Sequence, residues 1–441
     1  MIVLPQGVAF LIKELESSGF EAWAVGGCVR DSLLGITPHD WDVCTSAQPG
    51  QTLSVFRGRR VIETGIKHGT VTVLLDSVPY EVTTYRTEGI YSDNRRPDSV
   101  SFVLSLQEDL SRRDFTVNAM AFHPSRGLYD DFGGAEDLRN KIIRCVGDPA
   151  IRFSEDALRI MRALRFSATY SFTIEEKTAQ ALLDLKDRLL LIAPERIREE
   201  LMRLIAGAAA TDILREYAQV LFTVLPELAP MHGFEQFNPS HHLDIWEHTL
   251  QSVSAMTPEP MLRLAMLLHD AGKPACFFRD KKGVGHFYGH PQESYKIAGE
   301  VMTRLRFDNL TMKTVEELVL HHDEVIPAKE SSILHWLHRI GETRLRQLTA
   351  VKRADAMAQH PDKREEKLRD IGALECCLLL VLQKKLPYRL KDLAITGEDL
   401  KSAGIAPGPQ VGRILNSLLV KVMDGELQNE KDALLKAVFR Q

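Results

Sequence analysis

The sequence predicts an α+β chain in which a mixed, sheet-bearing head is followed by helical modules. Three observations carry that prediction. Short β-rich runs cluster in the first 145 residues, apolar residues recur at helical spacing from Ser154 onward, and the composition is that of a globular chain. At 441 residues, 44% hydrophobic and 26% charged, it has room for roughly two to four domains of about 100–200 residues each.

The head begins with a helix-period segment, 8–17, followed by strand-like runs at 22–25, 41–44, 70–75 and 80–85. Beyond it, Leu158, Met161 and Leu164, then Ala179, Leu182 and Leu183, then Ile197, Leu201 and Leu204 repeat every three or four residues, the spacing of a buried helix face. Pro226, Pro230 and Pro239, with Gly233 and Asn238 among them, mark one boundary. A second falls near Pro361, where 362–370 is rich in charge. The expected organisation is a head at 1–145, a helical neck at 146–225, a helical domain at 226–365 and a helical tail at 366–441.

No apolar run approaches the roughly 18 residues of a membrane span, and the N-terminal segment has no secretion signal. The six cysteines contain no C-x-x-C pair, so a reduced, cytoplasmic setting is expected. The net charge of −5 conceals local basic clusters at Arg57, Arg59 and Arg60, at Arg95 and Arg96, and at Arg112 and Arg113. A local basic surface is what phosphate contact requires.

Gly26, Gly27 and Arg30, in the run Gly26-Gly27-Cys28-Val29-Arg30-Asp31, follow an apolar strand and open a helix. Such a turn brings backbone N–H groups to an anion, or is simply a tight strand-to-helix connection. Asp40 and Asp42 then stand two apart in a strand-like run, where a period of two puts both carboxylates on one face. Magnesium suits such a pair, and Glu81 is either a third ligand or a surface residue. Asp156 and Arg159, three apart in the helical run 155–165, are expected on neighbouring turns of one helix face. There a carboxylate would accept from an exocyclic amino group and a guanidinium would donate to a ring nitrogen or carbonyl. Taken alone, the pair also reads as a structural ion pair.

The ordered set Gly26–Asp31, Asp40-Trp41-Asp42, Arg112-Arg113-Asp114 and Glu155-Asp156-Ala157-Leu158-Arg159 resembles the class II tRNA nucleotidyltransferase and poly(A) polymerase family over about residues 20–205. The resemblance implies a polymerase-beta-like nucleotidyltransferase head, Asp40 and Asp42 as catalytic Mg2+ ligands, and Asp156 with Arg159 as a protein template for CTP and ATP. It also implies that Arg113 and Asp114 hold the ribose and phosphates of the nucleotide. Asp114 can serve as a helix cap as well, and Arg162 and Arg165 either touch triphosphate or form a basic helix face. The polar stretch 87–98 looks like the family's flexible loop, which favours addition of the terminal A. The segment with Thr396-Gly397-Glu398-Asp399-Leu400 looks similar to the family's tail, and tRNA is the implied partner.

A second constellation, His248, His269-Asp270, His290, His322 and Asp355, combines imidazoles and carboxylates suited to a transition metal ion. It resembles the HD phosphohydrolase superfamily over roughly 240–360. His321 is the alternative to His322, while His241 and His242 read as surface or capping residues. The implied activity is CCA addition to tRNA. An A-adding enzyme or poly(A) polymerase is the alternative within that chemistry, and an HD phosphohydrolase with a nucleotide-sensing head is the alternative outside it.

Overall fold

A computed structural model describes residues 2–88, 100–238 and 242–439. They form two compact units, Met1–Pro226 and Glu227–Gln441. The first carries strands β1 (Ala22–Val25), β2 (Asp42–Thr45), β3 (Arg60–Ile62), β4 (Thr70–Leu75), β5 (Val78–Thr84), β6 (Arg86–Glu88), β7 (Val100–Phe102), β8 (Ala121–His123) and β9 (Gly127–Tyr129). Seven make one mixed sheet in the order β3-β4-β5-β2-β1-β8-β9, and β6 pairs with β7 as a separate ribbon. Only the β2–β5 pairing in the seven-stranded sheet is parallel.

Burial follows from sheet position. Every residue of β1 is buried, whereas β4 alternates between buried and half-buried residues. Helix Gln6–Ser17 buries Val8, Leu11, Ile12 and Leu15, its three-and-four-spaced face. Trp23, Val25, Cys44, Tyr85, Leu106 and Leu110 form the centre of a head core.

The structure corrects two local expectations. The strand expected at 41–44 starts only at Asp42, so Asp40 lies before it and strand period does not set its direction. The helix expected over 155–165 is interrupted: one helix, Pro149–Glu155, ends and another, Leu158–Tyr170, begins. Between them Asp156 is extended, at φ −137° and ψ 102°. Its Oδ1 accepts from the Leu158 N–H at 3.0 Å, as a short acidic side chain does when it starts a helix rather than continues one.

Among its described residues the second unit is helical apart from the hairpin strands Phe278–Arg279 and Gly285–His286. Helices Ile245–Ala255, Pro260–Leu268, His290–Arg304, Asn309–His321 and Glu330–Met357 are followed by Pro361–Gln383. The break expected near Pro361 falls at 358–360, between helix Glu330–Met357 and helix Pro361–Gln383, and the charge-rich residues 362–370 are the first turns of the latter. Pro361 sits at its first position, where the missing N–H costs no helical bond. No helix among the described residues is long and apolar enough to cross a membrane.

Candidate active site and candidate metal centre

In the head, β1 runs into the glycine turn and β2 lies beside it, with Val25 opposite Asp42. Gly26 has φ +81°, and a Cβ there would lie 2.7 Å from Arg113 Nη1. Glycine therefore permits both the backbone turn and the approach of that guanidinium. Asp42 is also opposite Glu81 on β5. Burial raises the Asp42 carboxyl to about 6, with Glu81 and Asp40 adding to the rise and Arg113 opposing it. Three carboxylates against one neighbouring guanidinium is a donor set that favours a cation. Asp40 is exposed, its side chain 84% accessible, and it is hydrogen-bonded to His39 Nδ1 at 2.9 Å.

Asp114 is 7% exposed. Its Oδ1 accepts from the Phe115 N–H at 2.8 Å and from Asn118 Nδ2 at 3.0 Å, while Arg162 Nε donates to Oδ2 at 2.8 Å. Burial works against ionisation, yet Arg162 and Asn118 outweigh it and hold this carboxyl well below the usual range. Asn118 in turn accepts from Arg30 Nη1. Arg165 Nε pairs with the buried Glu200 at 2.7 Å, and burial lowers the Arg165 guanidinium to about 10. The two neck arginines left open by sequence thus have carboxylate partners.

The Asp156 and Arg159 side chains each have other partners. Arg196 Nη2 donates to Asp156 Oδ2 at 2.9 Å. Arg159 donates to Glu155 at 2.8 Å and to the carbonyl of Arg112 at 3.0 Å. Arg112 and Arg113 both clasp Asp109, which is fully buried. Asp109, Asn118, Arg196 and Glu200 were not singled out from sequence. The expected loop lies outside the described residues from 89 onward, together with Arg95 and Arg96; Thr87 pairs with Ser101 between β6 and β7.

In the second unit the six expected residues converge. His248 Nε2 is 2.9 Å from Asp355 Oδ1 and 3.5 Å from Asp270 Oδ2. His269 Nε2 is 3.2 Å from Asp270 Oδ2. His290 Nε2 is 3.4 Å from Asp270 Oδ1 and 3.2 Å from His322 Nε2. Two sets have donor atoms close enough to share an ion: His248, His269 and Asp270, and Asp270, His290 and His322.

Each imidazole turns its Nδ1 to a backbone carbonyl: Ala358 for His248, Met266 for His269, Phe287 for His290 and Val319 for His322. Carbonyls only accept, so each Nδ1 carries a proton and each Nε2 faces the cluster, the orientation that metal-binding histidines adopt. Burial disfavours charge on His269, but Asp270 and Asp355 prevail and raise it to about 10. Burial lowers His290 to about 4.

Gly272 makes the convergence possible, since a Cβ there would lie 2.6 Å from Ser294 N and 2.7 Å from the His290 carbonyl oxygen. Lys273 Nζ, 2.7 Å from Asp270 Oδ2 and 3.1 Å from Gln236, supplies a further buried charge. Lys352 Nζ donates to the carbonyls of His322 and Glu324, fixing the chain beyond helix Asn309–His321. His321 instead pairs with Glu324 and packs edge-on against Trp336. His242 is exposed and packs edge-on against His360, while His241 lies outside the described residues.

Residues 22–144 match the Poly A polymerase head domain, residues 171–231 the probable RNA and SrmB-binding site of polymerase A, and residues 292–438 the putative tRNA nucleotidyltransferase domain 2. These matched domains are those of tRNA nucleotidyltransferases and poly(A) polymerases. The CCA-adding enzyme of Levilactobacillus brevis is 36% identical, covering 97% of this chain and 96% of its own. That of Leuconostoc mesenteroides subsp. mesenteroides is 35% identical, covering 97% and 94%. The crystal structure of the Bacillus stearothermophilus CCA-adding enzyme in complex with CTP has a TM-score of 0.73 at 30% identity, covering 99% of this chain and 98% of that one. The chain belongs to the CCA-adding enzyme family, whose nucleotidyl transfer uses divalent metal ions.

The buried Asp114 ion pair predicts a pH-dependent stability difference. Asp114→Asn should lower unfolding free energy at neutral pH by about 1.5–3 kcal/mol, the range for a hydrogen bond to a charged group. The depressed native pKa supplies stability above the unfolded value of about 3.9 and loses it as pH falls further. Denaturant unfolding should therefore show the wild-type advantage shrinking below about pH 4; a gap constant from pH 7 to pH 3 would refute the assignment.

Proposed function

We propose that this chain adds C, C and A to the 3′ end of tRNA from CTP and ATP, releasing pyrophosphate, with the protein in place of a nucleic-acid template. The observation that carries this reading is the full-length likeness to CCA-adding enzymes, accompanied by the glycine turn, Arg113 and Asp42 at one end of the head sheet. The tRNA 3′ oxygen forms a bond to the α-phosphorus and loses its proton as the bond from that phosphorus to the bridging oxygen breaks. Asp40 and Asp42 would hold Mg2+, which supplies charge stabilisation at the attacking and leaving oxygens. Gly26, Gly27, Arg30 and Arg113 would bind and orient the triphosphate, and Asp114 and Arg162 fix the local frame. Asp156 and Arg159 would read the amino group and neighbouring acceptor shared by cytosine and adenine. The cytoplasm, where six free cysteines remain reduced, is the proposed setting.

The second cluster supports a second reading. Its four inward-facing Nε2 atoms and two carboxylates suit a transition metal ion, and we assign it to an HD-type phosphohydrolase centre. That ion would supply Lewis acidity toward a phosphate ester, while Asp270, Asp355 and the imidazoles would bind it.

The principal test supplies tRNA lacking CCA with CTP, ATP or both and sequences the 3′ ends. CCA with both nucleotides is expected; A added only after a preformed CC, or long A tails, would replace the proposal. Asp42→Ala should slow extension by roughly 10³-fold. Arg159→Ala should weaken discrimination against UTP and GTP by about 10- to 100-fold, as expected for loss of a charged hydrogen bond, and unchanged selectivity in single-turnover assays would exclude its templating role. For the second cluster, equilibrium dialysis with Mn2+ against protein carrying Asp42→Ala, which removes the head site, should show binding by that variant and with His321→Ala added but not with His322→Ala added. Equal binding by all three would remove the metal assignment.

A further inference from the structure

Beside the second cluster lies a cavity of about 290 Å3, lined by Asp270, His290, His322 and Asp355 on one side and by Lys273, Lys367, His286 and Tyr288 on others. Tyr288 is 77% exposed. One of its faces stacks on His286, with ring centres 5.3 Å apart and planes 6° from parallel. The His286 ring is itself held: Nε2 is 3.1 Å from Asp280 Oδ2, and Phe278 stacks against it at 6.3 Å. The hairpin thus fixes a flat aromatic surface at the rim of a polar cavity. Its outermost ring is left to water, an arrangement that favours a planar ligand on the exposed face.

The charges in the cavity narrow the ligand class. Lys273 is already committed to Asp270 and Gln236, whereas exposed Lys367 enters no ion pair among the described residues. A phosphate beside Lys367 and a base against Tyr288 would use both features at once. An aliphatic phosphate ester would leave the ring uncovered, and an uncharged aromatic would leave the lysine unused.

We infer that Tyr288, braced by His286, is the base-stacking platform of a subsite for nucleoside phosphates, either as free mononucleotides or as the 3′-terminal residue of an RNA. This inference deepens the assignment of the second cluster to phosphoester chemistry and rests on it. Tyr288 acts by binding the base, with no part in the transfer steps of the head.

The test uses the full-length protein with Mn2+ and follows fluorescence quenching of 2-aminopurine riboside 5′-monophosphate, as the free nucleotide and as the last residue of a short single-stranded RNA. Tyr288→Phe should bind like wild type, and Tyr288→Ala should bind about tenfold more weakly, within the range for one lost base–aromatic stack. Competition by β-glycerophosphate, which has no base, should be unchanged in both variants. Tighter binding of the RNA would identify an RNA end as the ligand, and equal or weaker binding a mononucleotide; either agrees with the platform. Unaltered nucleotide binding by Tyr288→Ala, or an equal loss for β-glycerophosphate, would overturn it. Repeating the titration without Mn2+ separates the two readings: stacking that persists while dialysis shows no bound ion would leave the platform and remove the hydrolytic centre.

Discussion

One buried carboxylate, that of Asp114, sets the geometry of the head and neck. Burying a carboxylate costs several kcal/mol unless donors replace its water, and here a backbone N–H, Asn118 and Arg162 do so. Asn118 passes the connection to Arg30, which opens from the glycine turn and pairs with Asp31, and Asp31 accepts from Tyr170 of helix Leu158–Tyr170. The same helix supplies Arg162. Two polar routes therefore join the glycine turn to the helix that starts just after Asp156, and neither can lengthen without exposing a buried charge. The distance between the glycine turn and the start of that helix is consequently built into the fold.

How much of this could be read from sequence depended on the range of the interaction. Ala22–Val25 and Thr70–Leu75 were legible because apolar runs between turns report burial directly. The glycine turn was legible as well, although its need for Gly26 depends on Arg113, distant in the chain. The break at Asp156 was not: no glycine or proline marks it, and the capping hydrogen bond that ends one helix and starts the next uses a residue ordinary in either context. Glu200 did leave a signal, a charged residue within the apolar stripe of Ile197, Leu201 and Leu204, pointing inward to Arg165. The histidines and aspartates of the second cluster were individually visible, but spacing could not show that Gly272 admits the His290 helix to the His269–Asp270 turn.

The two carboxylate-rich sites illustrate different solutions to the same electrostatic problem. In the head, Asp40 remains in water and Asp42 is only partly withdrawn, so repulsion among Asp40, Asp42 and Glu81 is tolerable and an entering ion can exchange with substrate. In the second unit Asp270 is buried, and its charge is balanced by Lys273 and His269. A metal ion there must displace the proton on His269 and would be retained by ligands whose orientations are already fixed through their Nδ1 atoms. The first arrangement suits turnover of a nucleotide-bound ion and the second a resident one.

If Asp156 and Arg159 read the base as proposed, their partners change the physical account of nucleotide choice. If the pair stood unpaired in an empty site, a wrong base would be rejected chiefly because it left buried polar groups unsatisfied. Instead Arg196 holds Asp156 and Glu155 holds Arg159 before a base arrives. Binding is then an exchange in which the base must replace, or share, hydrogen bonds already made. Cytosine and adenine can do so because each offers a donor to the carboxylate and an acceptor to the guanidinium. Uracil and guanine offer the reverse and would not displace the internal partners, so the protein's own bonds would win the competition. Selectivity on this account would depend on Arg196 and Glu155 as much as on Asp156 and Arg159: strengthening the internal pairs would slow all additions, while weakening them would let poorly matched bases remain.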